Sequence, residues 1–331
     1  MSATPQNTHD CLCLGILFAD VVCQPISHLP VPGELVPTQR VELSLGGCAS
    51  NVAINLSKLG MTVGLSGCIG DDPFSDFIGR TLSAVPGIDT SLLRRIPNMG
   101  PGTSMIINVQ GEDRRFVSTN GANAEYHLDD LPDELPDEWL QPDAILYIGG
   151  FLMMPKLESP KTVAVLKRAR EKGCRILLDV VLFGDRPYWD AIKPLLPYTD
   201  LFLPNDFEAE KICGLRHPAD QAKFFLDAGV RAAVITCGEK GTYYYSEKEK
   251  FRTGIFPAQY VGGTGAGDAF ASGLIAGMHR RLSPFECITW GSALGASCVR
   301  HISATQSVFN RQELDEFLRT NTLSCESISI K

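Results

Sequence analysis

Short apolar runs alternate with longer amphipathic runs along this chain, and the alternation constrains the fold more than any other feature. The apolar runs have the length of β-strands, whereas the amphipathic runs have the length and the period of helices. A helix between two strands returns the chain to the same end of the sheet, so that successive strands run parallel. We therefore expect an α/β fold with a mostly parallel central sheet.

The predicted elements follow one another through most of the chain. Strands are expected over residues 11–18, 63–70, 144–150, 174–180, 200–205 and 232–238. Helices are expected over residues 49–60, 74–85, 161–173, 206–214 and 268–281. Several of these helices end at a glycine, which is the residue most common just beyond a helix C-terminus.

Two early stretches interrupt the alternation. Residues 24–43 are rich in proline, and residues 96–119 contain β-prone runs around the turn at residues 110–113. A small β-sheet lid projecting from the α/β body would account for both, with ordinary surface loops as the alternative. Residues 129–143, rich in Asp, Pro and Glu, are expected to form an exposed connection. No internal repeat or long linker divides the chain, which favours a single domain over residues 1–331.

The charge balance excludes some partners. The chain has 331 residues, of which 38 are acidic and 30 are basic, giving a formal net charge of −8. A net negative surface without a block of Lys or Arg argues against nucleic acid or an anionic membrane as the main partner. The N-terminal residues carry no basic segment, and the apolar run that follows ends at Asp20. Neither a signal peptide nor a membrane span fits, so we expect a cytoplasmic protein.

Eleven cysteines fit a reducing compartment better than a disulfide framework. Their number is odd, the chain is not small, and most of them lie in apolar or small-residue stretches, so we expect buried thiols. Cys11 and Cys13 would point to one face of a strand. No second pair stands at ligand spacing, which makes a zinc site there the minor alternative.

A glycine-rich segment late in the chain, residues 261–270, carries the strongest chemical signal. The small residues Gly265, Ala266 and Gly267 let the backbone approach a ligand, and the following helix presents free N–H groups, so the segment predicts an anion hole. Asp268, in the first turn of that helix, could accept a proton from an attacking hydroxyl. A plain helix cap is the alternative for Asp268. A dinucleotide fingerprint fits poorly, because Phe270 stands where its third glycine belongs.

A second glycine cluster opens an early helix. Gly46 and Gly47 would let a small polar ligand reach the backbone, and Asn51 offers both a donor and an acceptor to a hydroxyl. Asp20, at the end of an apolar strand, is poorly placed for the core and well placed at the rim of a sheet. A helix entry with a packed asparagine is the alternative for Asn51.

Four motifs, taken together and in the order in which they occur, resemble those of a known family. They are Gly46-Gly47-x-x-x-Asn51, Asn205-x-x-Glu208, Thr236-x-Gly238-x-x-Gly241 and Gly265-Ala-Gly-Asp268. In this combination the chain resembles the PfkB-type carbohydrate kinase family of the ribokinase-like superfamily, from about residue 11 to about residue 308. The resemblance implies a three-layer α/β/α sandwich with a β-sheet lid, and ATP-dependent phosphorylation of a hydroxymethyl group on a sugar-like molecule.

The resemblance also implies roles for individual residues. Asp268 is similar to the general base of the family, and the backbone of Gly265, Ala266 and Gly267 to its anion hole. The residues expected to bind the acceptor are Asp20, Gly46, Gly47 and Asn51, with Asn123 as a further polar contact or else a plain turn residue. The residues expected at the nucleotide are Asn205, Thr236, Gly238, Gly241, Thr264 and Ser292. Asn205 and Glu208 are similar to the pair that organises Mg²⁺ through water.

Departures from the family pattern bear on cofactor and acceptor. Gly262 and Gly263 replace the usual Asp-Thr pair, and because that Asp is tied to a monovalent-cation site, the resemblance leaves K⁺ activation open. Ser303 stands where the family often has glycine. Cys48 replaces a lysine of some relatives, which favours a neutral acceptor over a phosphorylated one. A nucleoside kinase, a ligand-binding protein without turnover, and a homodimer formed through the lid remain open.

Overall fold

A computed structural model of the chain describes residues 9–112, 115–128 and 139–328. The strands are β1 (Cys11–Gly15), β2 (Phe18–Ile26), β3 (Val41–Gly46), β4 (Val63–Ile69), β5 (Ile88–Arg95), β6 (Gly102–Val109), β7 (Arg115–Thr119), β8 (Ile145–Gly149), β9 (Arg175–Leu178), β10 (Leu201–Phe202), β11 (Ala232–Thr236), β12 (Thr242–Ser246), β13 (Lys250–Thr253) and β14 (Cys325–Ser327). The helices are α1 (Cys48–Lys58), α2 (Pro73–Ser83), α3 (Pro160–Glu171), α4 (Trp189–Ile192), α5 (Asp206–Cys213), α6 (Pro218–Asp227), α7 (Ala266–His279), α8 (Pro284–Cys298) and α9 (Arg311–Thr320).

The large sheet has ten strands in the order β14-β13-β12-β11-β10-β9-β8-β1-β4-β5. The pairs from β11 to β5 are parallel, and those from β11 to β14 are antiparallel. Strands β4 and β8 are buried along their whole length, as expected for parallel strands that helices cover. The predicted α/β fold with a mostly parallel sheet is confirmed.

Helix α7 is largely buried and carries the glycine-rich segment at its start. It packs against α1 and α8, and its residues from Ala269 to Gly277 are all buried. Helix α1 also packs against β1 and β4. The two predicted glycine clusters therefore begin two neighbouring helices, and their N-termini can contribute to one site.

The predicted strand over residues 11–18 is wrong as a single element, because the chain changes sheet within it. Strand β1 belongs to the large sheet, whereas β2 belongs to a separate small sheet. Leu17 lies in the break, and its backbone N–H and carbonyl are both hydrogen-bonded by the Asn123 amide, at 3.0 and 2.9 Å. Asp20 therefore lies within β2 and not at the carboxyl end of the first strand of the large sheet.

The small sheet has four strands in the order β3-β2-β6-β7. Strands β2 and β3 form one antiparallel pair, and β6 and β7 form the other, while β2 and β6 run parallel. Residues 27–40 of the proline-rich stretch form no strand. Of the predicted 24–43, residues 24–26 and 41–43 lie in this sheet, within β2 and β3, and of the predicted 96–119 the sheet contains 102–109 and 115–119. The expected connection at 129–143 falls largely outside the described residues.

Several elements were not predicted from the sequence, among them β5, β12, β13, α6, α8 and α9. The last two helices begin with capping boxes formed by Ser283 with Glu286 and by Asn310 with Glu313. Such boxes are visible in a sequence as a Ser or Asn three residues before a Glu. In the parts of the chain that the structure describes, no helix is both long enough and apolar enough to cross a bilayer.

Candidate active site

The start of α7 is an open, glycine-built helix N-terminus. Gly265 precedes the helix with a φ of 77°, in the left-handed region that favours glycine, and a β-carbon there would overlap Ala304. A β-carbon at Gly267 would meet no atom within 4 Å, so the backbone next to it is accessible. The first N–H groups of a helix have no partner within the helix and attract anions. This geometry suits the predicted anion hole.

Asp268 is tied to the other glycine cluster across the site. The Asn51 side chain donates from Nδ2 to Oδ2 of Asp268 at 2.7 Å, joining α1 to α7. Asn51 is 3% exposed, and its Oδ1 is buried without a hydrogen-bond partner. A buried amide oxygen without a donor destabilises the folded protein by about 1–3 kcal/mol. A ligand hydroxyl that donates to this oxygen would remove that cost. Burial raises the pKa of Asp268, while hydrogen bonds from Asn51 and Cys48 oppose the shift.

Asp20 reaches this region from the small sheet. Asp20 is 8% exposed, and the side chain of Ser104, on the neighbouring strand, donates a hydrogen bond to its carboxylate. A β-carbon on Gly46 would overlap Oδ2 of Asp20, so glycine at position 46 makes room for this carboxylate. Burial raises the pKa of Asp20 to about 7, against the hydrogen bond from Ser104, and the negative charge of Asp268 raises it further.

Asn205 and Glu208 form a capping box at the start of α5. The backbone N–H of Glu208 donates to Oδ1 of Asn205 at 2.8 Å, and the N–H of Asn205 donates to Oε2 of Glu208 at 2.9 Å. Burial raises the pKa of Glu208 to about 7, opposed by the hydrogen bond from Asn205 and assisted by Asp268. The helix cap explains the pair on its own, and it leaves the second carboxylate oxygen of Glu208 able to accept further hydrogen bonds.

Three residues of the site lie close together, and the sequence did not indicate that they would. The Cys48 thiol and one carboxylate oxygen each of Asp179 and Asp268 lie within 4.8 Å of one another. Tyr147 donates its hydroxyl to Oδ2 of Asp179 at 2.7 Å. Burial raises the pKa of Asp179, and the charges of Glu208 and Asp268 add to the shift. Asp179 directly follows the buried strand β9, the same signal that singled out Asp20.

The residues expected at the nucleotide lie in two groups, one around the end of β11 and the other at α7 and α8. Thr236 ends β11 and forms an isolated parallel bridge with Asn205. Gly238 and Gly241 follow it with positive φ angles of 55° and 91°. Thr264 directly precedes Gly265. Ser292 is half-buried on α8, a helix that packs against α7.

Asn123 is already engaged by the backbone. Its side chain is fully buried, and both of its amide atoms are used by the backbone of Leu17. A side-chain amide that mimics a strand neighbour in this way satisfies backbone groups at the break between β1 and β2. These bonds give Asn123, in the short 3₁₀ helix Gly121–Glu125, a structural role, and its predicted contact with the acceptor stays a prediction.

The site is strongly acidic and rich in oxygen ligands. Asp20, Asp179, Glu208 and Asp268 all have pKa values raised chiefly by burial, and each of the first three is raised further by Asp268. A divalent cation would offset the repulsion among these carboxylates. Carboxylate and amide oxygens are the ligands that Mg²⁺ prefers, so the residues fit this ion.

Known proteins resemble this chain over nearly its whole length. The family model for "pfkB family carbohydrate kinase" matches residues 8–310. A ribokinase from Haemophilus influenzae is 30% identical over 316 residues, covering 92% of this chain and 97% of that protein. The structure of Arabidopsis thaliana ribokinase complexed with ribose and ATP has a TM-score of 0.78 and 22% identity, covering 95% of this chain and 100% of that one.

A second solved structure also has the same fold. A putative ribokinase II from E. coli, in complex with ATP and Mg²⁺, has a TM-score of 0.77 at 21% identity and covers 94% of this chain and 99% of its own. The family match spans most of the chain, and the ribokinase-like α/β fold with a small separate sheet agrees with it. The chain therefore belongs to the pfkB family of carbohydrate kinases, which are phosphotransferases with an alcohol group as acceptor.

Proposed function

We propose that this protein transfers the γ-phosphate of ATP to a hydroxymethyl group of a neutral sugar or sugar-like molecule, with Asp268 as general base. The observation that carries the proposal is the position of Asp268. It lies in the first turn of α7, beside the open backbone of Gly265–Gly267, and the hydrogen bond from Asn51 fixes its carboxylate. A base and an anion hole at one helix start are the two groups that phosphoryl transfer needs most.

The acceptor is held between the small sheet and the start of α1. The Asp20 carboxyl and the orphan Oδ1 of Asn51 accept hydrogen bonds from its hydroxyls. The small sheet acts as a lid, and its closure excludes the water that would otherwise compete as phosphate acceptor. Binding thus places the reacting hydroxyl beside Asp268 before the chemical step.

During transfer the acceptor oxygen forms a bond to the γ-phosphorus while the bond from that phosphorus to the β,γ-bridging oxygen breaks, releasing ADP. The acceptor proton goes to Asp268, whose raised pKa makes its carboxylate a stronger base than an exposed aspartate. The N–H groups of residues 265–267 receive the charge on the phosphoryl oxygens, and for this the Ala266 N–H turns away from the Gly263 carbonyl, to which it donates at 3.2 Å. Mg²⁺ bound with ATP would neutralise phosphate charge, and Asn205 and Glu208 would hold it through water. Thr236, Gly238, Gly241, Thr264 and Ser292 would line the nucleotide site.

Substitution of the base tests this assignment. Asp268→Asn keeps an oxygen that can accept the Asn51 hydrogen bond, but it cannot take a proton, so kcat is expected to fall about 10²–10⁴-fold with little change in acceptor binding. Mg-ATP with a panel of neutral sugars provides the assay. The matched control is Asp227→Asn, an exposed carboxylate that pairs with Lys223. Wild-type turnover by Asp268→Asn would refute the role of this residue.

The choice of a neutral acceptor rests on the charges around the site. Cys48 is buried and its thiol pKa is raised by burial and by nearby carboxylates, so it brings no positive charge that would bind a second phosphate. A nucleoside remains the second candidate, because Asp20 and Asn51 would bind the hydroxyls of a free sugar and of a riboside equally. Thermal shifts with sugars, sugar acids and nucleosides would separate these acceptors, since only a ligand that binds the native state raises Tm. Tight binding without transfer would favour a ligand-binding protein.

The outer face of the small sheet supports a homodimer. One row across all four strands consists of apolar residues, Leu43, Val21, Met105 and Val117, and three of them are 42%, 52% and 62% exposed. An apolar face of this kind packs well against a second copy of itself. Sedimentation of the wild type should give a dimer that Met105→Lys dissociates, whereas a monomeric wild type would refute the interface.

A further inference from the structure

The Lys58 side chain hydrogen-bonds the backbone carbonyls of a loop, a contact that no sequence motif indicated. It is the last residue of α1, and its ammonium group donates to the carbonyl oxygens of Thr305, Gln306 and Val308. The latter two distances are 3.4 and 3.3 Å. An ammonium has three donors and all three are used here. One positive charge surrounded by carbonyl oxygens is also the environment in which proteins bind monovalent cations.

The loop that Lys58 binds also lies against the predicted anion hole. Ala304 lies so close to Gly265 that a β-carbon on Gly265 would overlap it. The Cys298 thiol lies 3.4 Å from the carbonyl oxygen of Thr264 and 3.3 Å from that of Ala304, so its single S–H can donate to either one and links the two segments. A displacement of residues 304–308 would therefore be transmitted to the backbone that begins α7.

The residues around this loop do not fit a free K⁺ ion. Gly262, in place of the usual Asp, provides no side-chain oxygen. The carbonyl of Val299 accepts hydrogen bonds from the N–H groups of Val261 and Gly262, at 2.7 and 3.1 Å. An N–H group directed at a carbonyl places positive charge where a cation would lie, so this oxygen is a poor ligand. The other carbonyls of the loop that Lys58 engages already face a full positive charge.

We propose that Lys58 is a built-in cation: its tethered ammonium takes the place of a free monovalent ion in bracing the anion hole, so that phosphoryl transfer needs no K⁺. Lys58 is a positioning residue in this scheme, because it acts through residues 304–308 and does not touch the reacting atoms. The proposal rests on the kinase function proposed above. The proposal also predicts that Lys58 keeps residues 304–308 ordered, which can be measured without phosphate transfer.

The cation dependence of the rate gives the first test. Wild-type kcat is expected to change less than about twofold when tetramethylammonium replaces K⁺ at equal ionic strength. The reason is that the Lys58 ammonium is part of the chain and stays at the loop whichever salt is present. Lys58→Met keeps the length of the side chain without its charge, and misplacement of the anion hole should lower kcat about 10–100-fold with the acceptor KM unchanged. Lys58→Ala leaves space at the carbonyls, and added K⁺ or NH₄⁺ should restore at least part of its kcat.

A second measurement follows the loop directly. Amide hydrogen exchange over residues 299–308 should speed up in Lys58→Ala and slow again in K⁺ or NH₄⁺, with no such response in the wild type. The matched control is Lys193→Met, at an exposed lysine after α4. A wild type that requires K⁺, wild-type kcat in Lys58→Met, or exchange in Lys58→Ala that no cation slows would each overturn the proposal. Absence of phosphate transfer in every salt would refute the kinase function, while the exchange data would still decide the role of Lys58.

Discussion

Replacing Asp20 with asparagine is expected to stabilise the protein at neutral and alkaline pH while impairing acceptor binding. Asp20 is 8% exposed, and burial raises its pKa from 3.8 to about 7. Well below pH 3.8 the carboxyl group is protonated in both the folded and the unfolded chain, so its ionisation costs the native state nothing. As the pH rises, the unfolded chain ionises first, and stability is lost until the folded pKa is passed.

The magnitude follows from the shift. A change from 3.8 to about 7 is about three pKa units, and each unit corresponds to about 1.4 kcal/mol, so the native state loses about 4 kcal/mol by pH 8. Asparagine has no charge to desolvate, and its amide oxygen can still accept the hydrogen bond from Ser104. Part of the shift comes from Asp268, so the effects of Asp20→Asn and Asp268→Asn should not be additive.

Urea unfolding of wild type and Asp20→Asn at pH 4.5 and pH 8, without ligands, measures this effect. The difference in the free energy of unfolding should favour the variant and grow between the two pH values by roughly 2–4 kcal/mol. Asp227→Asn, at an exposed position, is the control and should show no such growth. A variant that is no more stable than the wild type at pH 8, or a difference independent of pH, would refute the reasoning.

Three further substitutions test other parts of the site. Gly265→Ala should lower kcat more than acceptor binding, because its β-carbon would overlap Ala304 and φ is 77°; kinetics and a thermal shift check this. Asn123→Ala should reduce the free energy of unfolding by about 2–4 kcal/mol, since two buried backbone groups of Leu17 lose their partners, which urea unfolding would detect. Glu208→Gln should keep its helix cap but raise the Mg²⁺ concentration for half-maximal rate about tenfold, as measured by Mg²⁺ titration of kcat.

Much of the fold follows from local rules, and those parts were predictable. The buried strands β4 and β8 and the helices α1 and α3 lie within a few residues of the predicted ranges, because apolar period and glycine stops act within one element. The change of sheet between β1 and β2 was not predictable in this way. The apolar run continues through residues 11–18, and only the distant Asn123 amide provides the hydrogen bonds that allow the break.

The sequence by itself determined the family, the order of the motifs and the small residues of the anion hole, because these depend on residue types at fixed spacings. The tertiary structure alone decided which side chains meet. It joined Asn51 to Asp268 across 217 residues, brought Asp179 and Cys48 beside them, and bonded Asn123 to the backbone of Leu17. It also placed the Lys58 ammonium on the loop behind Gly265. Such pairings depend on how distant elements pack, as α1 does against α7, and no pattern of neighbouring residues in the sequence indicates that packing.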